Sequence, residues 1–120
     1  MNFQDIRVVV ADSNLLIRIG LGVVLSKEKD IHIAGEAESE EALKELLNEV
    51  DADILLIDFT APQFSIETIP AILSEHPNIQ VVAITPDQEG QTIVNALKAG
   101  VKSYVKKDCD LNEIVSSVRD

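Results

Sequence analysis

ILLIDFTAP, residues 54–62, decides the fold of this 120-residue chain. Its four leading apolar residues are typical of a strand that is buried on both faces, as in a parallel sheet. A lone aspartate, Asp58, follows them directly, and Pro62 closes the segment. A carboxylate thus stands at the carboxyl end of a strand that the pattern places inside the protein. The neighbouring strands indicate why a charged residue lies there.

Short β-branched segments alternate with longer segments of helical spacing along the chain. The strand-like segments cover 6–11, 31–37, 53–58, 79–85 and 102–106. The helix-like segments cover 15–25, 40–50, a stretch from Thr68, 92–100 and a stretch from Leu111. In the first helix Leu15, Ile19 and Val23 share one face. The alternation predicts an α/β fold, a doubly wound five-stranded parallel sheet of order 2-1-3-4-5 with helices on both faces.

The predicted helix ends carry the residues that such ends prefer. Ser39 is placed to cap the second helix, and Asp110 begins an Asp-x-x-Glu capping pattern before the last one. Gly100 follows the fourth helix as a C-cap. Pro70 is tolerated only in a first helical turn, so the third helix should begin near Thr68.

The composition limits the partners and the location of the chain. Its formal net charge is −11 and its pI is about 4.4, which disfavours direct binding to nucleic acid. The single cysteine, Cys109, allows no intrachain disulfide and fits a reducing compartment. The N-terminal residues lack the pattern of a signal peptide, and no apolar run is long enough to span a bilayer. We therefore expect a cytoplasmic protein that does not enter a membrane.

Polar side chains follow four of the five predicted strands. Asp12 and Asp58 end the first and third strands, Thr85 ends the fourth, and Lys106 and Lys107 come at the end of the fifth. In doubly wound sheets ligands bind outside the carboxyl ends of the strands, so these residues should converge on one edge. Paired carboxylates suit a divalent cation such as Mg²⁺, and a carboxylate beside a cation and a lysine is a usable nucleophile toward phosphorus.

The whole chain resembles the receiver domain of two-component response regulators, and the NarL/FixJ branch with its LuxR-type helix-turn-helix looks closest. Four segments carry the resemblance: IRVVVAD at 6–12, IHIAGEAESEEAL at 31–43, SEHPNIQVVAIT at 74–85 and ALKAGVKSYVKKD at 96–108. The resemblance implies a flavodoxin-like receiver fold over residues 1–120. It also implies an output domain, a helix-turn-helix, outside this chain.

Residue roles follow from the same resemblance. Asp58 is the implied phospho-acceptor, Thr85 the switch hydroxyl and Tyr104 the aromatic that moves with it. Lys107, rather than Lys106, matches the lysine that contacts the phosphoryl group, because it stands three residues after Tyr104. The implied Mg²⁺ ligands are Asp12, Asp58 and the backbone carbonyl of Thr60.

Departures from the family pattern bear on that site. The family usually has two acidic residues after the first strand, whereas Ser13 follows Asp12 here. Serine is a neutral, weaker ligand, and it can instead cap the first helix. The loop 61–66, APQFSI, lacks the family's glycines and should trace differently, and Pro70 lies inside what is usually an uninterrupted helix in the family. We therefore expect Mg²⁺ to bind weakly.

These features predict a non-enzymatic receiver that accepts a phosphoryl group on Asp58 from a histidine kinase or a phosphotransfer protein and controls transcription through its output domain. Two homodimer surfaces are compatible with it: the fourth helix, fifth strand and fifth helix, or the first and fifth helices. The alternative is a receiver that binds protein partners regardless of phosphate, which the substitutions at Ser13 and Ile66 favour. A flavodoxin-like small-molecule binder or enzyme is disfavoured, because the turn ADSNLL, 11–16, has no glycine-rich phosphate cradle.

Overall fold

A computed structural model describes residues 5–86 and 89–119. The strands are β1 (Ile6–Ala11), β2 (Ile31–Ala37), β3 (Ile54–Ile57), β4 (Gln80–Thr85) and β5 (Ser103–Lys106). The helices are α1 (Leu15–Ser26), α2 (Glu40–Glu49), α3 (Thr68–Glu75), α4 (Gly90–Ala99) and α5 (Leu111–Arg119). All neighbouring strands pair in parallel in the order β2-β1-β3-β4-β5, which confirms the predicted fold. The predicted domain limits include residues 1–4 and 120, which lie outside the described residues.

The sheet is buried on both faces, because apolar side chains of its central strands point alternately into two cores. The core shared with α2, α3 and α4 contains Val9, Leu55, Val81, Leu47, Ile72 and Ala96, among others. The core shared with α1 and α5 contains Val8, Leu56, Val82, Leu25, Ile114 and Val118, among others. Each buried Val, Leu or Ile side chain contributes about 1.5–3 kcal/mol, so this packing holds the strand ends in fixed positions.

Helix α1 presents an apolar face outward. It turns Arg18, Leu21 and Leu25 toward the sheet. The face predicted from its other apolar residues points to solvent, and we call its members the outer face of α1: Leu15, Leu16, Ile19 and Val23, each more than half exposed. Helical spacing determines which residues share a face but not which face packs, and apolar residues surround most of this helix. Within the described part of the chain, no helix is both long and apolar enough to cross a membrane.

The predicted ends of the later helices are confirmed. The Ser39 hydroxyl accepts a hydrogen bond from a backbone N–H at the start of α2, and the Asp110 carboxylate does the same at the start of α5. Gly100 ends α4 in the left-handed conformation, with a φ of 110°. Pro70 lies in the first turn of α3, where its missing N–H costs no helical hydrogen bond.

The interpretation of Ser13 as the cap of the first helix is wrong. Helix α1 begins at Leu15, so the N-cap position falls on Asn14. The Asn14 side-chain oxygen accepts hydrogen bonds from the N–H groups of Leu16 (2.9 Å) and Ile17 (3.3 Å). A shift of the helix start by one residue therefore leaves Ser13 half-buried in the turn between β1 and the cap.

The loop that follows β3 is anchored by aromatic side chains. Phe59 and Phe64 are buried in the core on the α2–α4 side of the sheet. The Phe64 N–H donates to the Ala61 carbonyl at 3.1 Å. Among the described residues only Gly100 has a positive φ, so residues 61–66 turn without the left-handed conformation that glycine permits. This packing fixes the chain that leaves Asp58.

Candidate functional site

Four strands deliver polar side chains to the same edge of the sheet. The N–H of Asp12 donates to the Ala37 carbonyl at the end of β2, and the N–H of Asp58 donates to the Ala11 carbonyl at the end of β1. The N–H of Lys107 donates to the carbonyl of Thr85. The parallel ladder thus continues one residue beyond the strands and places these side chains together.

Lys107 joins the two carboxylates. Its Nζ lies 2.7 Å from Asp58 Oδ2 and 2.8 Å from Asp12 Oδ2. Asp12 and Asp58 are only 1% and 3% exposed, so this ammonium is the charge that compensates them. The contact with Asp58 is a hydrogen bond, whereas the contact with Asp12 is an ion pair whose direction falls outside hydrogen-bond geometry. Asp12 Oδ2 is therefore buried, with the Lys107 ammonium as its charged partner.

The second oxygen of each carboxylate is held by its own loop. Asp58 Oδ1 accepts hydrogen bonds from the Thr60 N–H (2.8 Å) and the Thr60 hydroxyl (2.5 Å). Asp12 Oδ1 accepts one from the Asn14 N–H at 2.8 Å. Both carboxylates are thus oriented with Oδ1 toward the backbone and Oδ2 toward Lys107.

The surroundings of Lys107 change its pKa in two opposing ways. Burial lowers the pKa, but the contacts with Asp12 and Asp58 raise it, and the net pKa lies above the ordinary 10.5. A raised pKa in the folded state means that the ion pairs stabilise the protein fully below the unfolded pKa. That contribution is lost only as the pH rises through the folded value, so the ammonium is present at neutral pH.

Thr85 and Tyr104 form a second contact beside the carboxylates. The Thr85 Oγ1 and the Tyr104 hydroxyl are 2.6 Å apart, and either can be the donor. Thr85 is fully buried, while Tyr104 is half-buried and packs against the core on the α2–α4 side. Lys106 instead pairs with Asp108 at 3.2 Å near the surface. The structure therefore brings Lys107, and not Lys106, to the carboxylates.

The site fits a Mg²⁺ ion with a reduced set of charges. Asp12 and Asp58 offer carboxylate oxygens on one side, and Asp12 Oδ2 has no directional donor. Ser13 adds no charge, and among the described residues no group of three or more His, Cys, Asp or Glu is placed to hold a metal. Hard oxygen ligands suit Mg²⁺, so the donor type agrees with the sequence prediction while the number of anions is low.

Three contributors were missed in the sequence. Thr60 was assigned only through its carbonyl, yet its N–H and hydroxyl hold Asp58. Asn14 orients Asp12, and an Asn two residues after a strand-end Asp is a turn signal that points to such a contact. Arg18 binds the Asp12 carbonyl. The available signal was a lone charge in an otherwise apolar helix.

Comparisons with known proteins agree with this architecture. The family model for the response regulator receiver domain matches residues 8–119. The response regulator protein VraR of Staphylococcus saprophyticus is 30% identical over 117 residues, which are 97% of this chain and 56% of that protein. The response regulator GacA of Pseudomonas viridiflava is 34% identical over 116 residues, 95% of this chain and 54% of that protein.

A solved structure confirms the flavodoxin-like receiver fold. The signal receiver domain of NarL from Mycobacterium tuberculosis superposes with a TM-score of 0.90 at 29% identity. The match covers 98% of this chain and 96% of that domain, in keeping with the predicted NarL/FixJ branch. This chain spans about half the length of the curated relatives it matches.

Replacing Lys107 by Met should destabilise the fold, because it removes the positive charge between Asp12 and Asp58. Met keeps most of the length of the side chain but leaves two nearly buried carboxylates without a cation. We expect the free energy of unfolding at pH 7 to fall by about 2–4 kcal/mol, measured by urea denaturation.

The matched control is Lys106→Met, which removes an exposed pair with Asp108 and should cost no more than about 0.5–1 kcal/mol. Asp58→Asn in the Lys107→Met background should recover part of the loss, because it removes one of the facing charges. Equal costs for the two lysine variants would contradict the central place given to Lys107.

Proposed function

Since this chain belongs to the response regulator receiver domain family, we propose that Asp58 accepts a phosphoryl group from a histidine kinase or a phosphotransfer protein. The observation that carries the proposal is the Asp58 carboxylate, held at the end of β3 with Oδ2 turned to Lys107. In the reaction a bond forms between Asp58 Oδ2 and phosphorus while the bond from phosphorus to the donor imidazole nitrogen breaks. The products are an acyl phosphate on Asp58 and an unphosphorylated histidine side chain on the donor.

Each neighbouring side chain has a role in that step. Lys107 neutralises charge on the nucleophile and then on the phosphoryl oxygens, which is the main requirement of phosphoryl transfer. Thr60 keeps Asp58 Oδ1 engaged and leaves Oδ2 for the transfer. The chain is thus a phosphoryl acceptor that changes state, and not an enzyme acting on a separate metabolite.

The contact between Thr85 and Tyr104 supplies the readout. A phosphoryl oxygen on Asp58 attracts the Thr85 hydroxyl, which then leaves the Tyr104 hydroxyl. A hydrogen bond of this kind contributes about 0.5–1.5 kcal/mol, enough to change the populations of two arrangements of the ring. Since Tyr104 lies on β5, the change reaches the surface formed by α4, β5 and α5.

Magnesium has a defined place in the proposal. Asp12, Asp58 and the backbone carbonyl of Thr60 are the residues that would hold it. When bound, it supplies positive charge to the transferred group. Ser13 makes this binding weaker than it would be with a carboxylate at that position.

We further propose that a helix-turn-helix output domain follows in the full protein and makes it a cytoplasmic transcription regulator. The relatives VraR and GacA, of which this chain covers 56% and 54%, support a second part of similar size. A phosphorylation-independent interaction module is the second candidate function. Its support is Ser13, which stands where the family usually has a second acidic residue, and Ile66 in a loop that lacks the family's glycines.

The outer face of α1 favours the first and fifth helices as the homodimer surface. It is apolar, and Leu111 at the start of α5 is also 56% exposed. The one charged residue of α1, Arg18, is buried, so this face can meet its copy without the repulsion that a net charge of −11 imposes elsewhere. On α4 the exposed Val94 and Leu97 make a smaller apolar surface.

Incubation with acetyl phosphate and Mg²⁺ should add one phosphoryl group, detected by intact mass. Asp58→Asn should abolish the addition, because the amide is not a nucleophile toward phosphorus. Asp108→Asn, a neighbouring carboxylate that is largely exposed, is the matched control and should be modified like the wild type. A modified mass that persists in Asp58→Asn would remove Asp58 as the acceptor, and an unmodified wild type would favour the phosphorylation-independent module.

Ser13→Asp should bind Mg²⁺ at least about tenfold more tightly than the wild type, which corresponds to about 1.4 kcal/mol. The added carboxylate contributes a Coulomb attraction of about 1 kcal/mol at 4 Å in water, and more in a partly buried site. The measurement is a Mg²⁺ titration followed by amide NMR shifts. Ser74→Asp adds the same charge on α3, near the opposite edge of the sheet, and should change nothing. Equal affinities for Ser13→Asp and wild type would show that another group already replaces the carboxylate.

Ile19→Asp should prevent self-association of the beryllofluoride-treated protein, because it places a charge in the outer face of α1. The measurement is the molar mass in solution over a range of concentrations. Leu97→Asp on α4 is the control of similar exposure and should leave the dimer intact. The opposite pattern would assign the dimer to the surface formed by α4, β5 and α5.

A further inference from the structure

Arg18 is a buried charge that the proposed transfer does not use. It is 9% exposed and lies on the sheet-facing side of α1 with Leu21 and Leu25. Arginine is seldom buried unless its guanidinium is paired, because removing the charge from water is costly. An apolar residue would fill this place in the core at lower cost, so the guanidinium needs a specific reason to be here.

The hydrogen bonds of Arg18 supply that reason. Its Nη1 donates to the backbone carbonyl of Asp12 at 2.7 Å, and its Nε donates to Glu36 Oε1 at 2.7 Å. Glu36 lies at the end of β2, next to Ala37, whose carbonyl accepts the Asp12 N–H. The peptide groups on both sides of Asp12 are therefore held, one by β2 and one by α1.

We propose that Arg18 is a positioning residue for the phosphoryl-accepting site: by binding the Asp12 carbonyl and the Glu36 carboxylate, it fixes the corner between β1 and α1 and so keeps the Asp12 carboxylate beside Lys107. The inference rests on the proposed function of that site. Glu36, whose side chain is 47% exposed, orients the guanidinium from the solvent side.

The chemistry of arginine suits this position. Its planar fork donates in two fixed directions at once, here to the Asp12 carbonyl directly after β1 and to a carboxylate of β2. Lysine has one ammonium on a flexible stem and cannot hold both partners in the same geometry. Arg18→Lys should therefore keep the charge and lose part of the positioning.

Native-state hydrogen exchange without phosphodonor separates positioning from general stability. In Arg18→Met we expect the exchange rates of the Asp12 and Asn14 amides to rise at least about tenfold over the wild type. This rise should exceed the rise at the Asp58 and Thr60 amides. Arg18→Lys should show a smaller increase at the same two amides. If all four amides accelerate equally, Arg18 is only a stabilising core residue and the proposal is overturned.

The matched control is Arg119→Met. Arg119 also binds two carboxylates, Asp30 at 2.6 Å and Glu28 at 2.7 Å, but next to the start of β2, at the edge of the sheet away from the site. In the Arg119→Met variant, the protection of the Asp12 and Asn14 amides from exchange, measured relative to the Asp58 amide, should be the same as in the wild type. If Arg18→Met does not fold, Arg18→Lys and Glu36→Gln carry the same comparison.

A binding measurement tests the consequence for the site. Titration with beryllofluoride and Mg²⁺ should show at least about tenfold weaker binding by Arg18→Met than by Arg119→Met, with Arg18→Lys between them. Wild-type affinity in Arg18→Met would overturn the inference. A wild-type protein that binds no beryllofluoride would overturn the proposed function instead, and the exchange result would still decide whether Arg18 fixes Asp12.

Discussion

The bridge that Lys107 makes between Asp12 and Asp58 is the interaction on which the carboxyl edge of the sheet depends. The order of the sheet makes β1 and β3 neighbours, so the aspartates that follow them meet whether or not their charges agree. Two like charges that both lie within 2.8 Å of the same ammonium repel by several kcal/mol at an effective dielectric constant near 20. The apolar packing of the strands brings the carboxylates together, and one ammonium, that of Lys107 directly after β5, makes that arrangement stable.

The rest of the site is built so that this bridge has little freedom. Asn14 and Thr60 hold the far oxygen of each carboxylate, and Arg18 holds the backbone of Asp12. Each of these donors comes from the turn or helix that follows the strand, so the local chain supplies the orientation that the sheet cannot. These donors therefore fix the orientation of both carboxylates, as the proposed transfer to Asp58 requires.

Sequence reasoning found the elements that depend on pattern and missed those that depend on a single contact. The buried strand 54–57, the alternation and the strand-end aspartates follow from apolar periodicity, which determines the sheet and its ligand edge. The orientation of α1 did not follow, because a helix that is apolar around most of its surface has no unique face to bury. The helix starts one residue later than expected, so Asn14 and not Ser13 is its N-cap. The burial of Arg18 depends on a carbonyl and a carboxylate that belong to other parts of the chain.

Ser13 has opposite effects on two requirements of the proposed reaction, the binding of Mg²⁺ and the approach of the phosphoryl group. With Asp12, Asp58 and Lys107 as its charged groups, the site carries a net charge of about −1, and a carboxylate at position 13 would make it about −2. The lower negative charge attracts Mg²⁺ less, which slows any transfer that depends on the ion. The lower negative charge also repels the incoming phosphoryl group less. This matters because phosphorylation makes the charge on Asp58 more negative, from about −1 to about −2. In the proposed reaction the serine therefore lowers the affinity for Mg²⁺, and Lys107 is the cation that the described site residues would bring to the phosphorylated state.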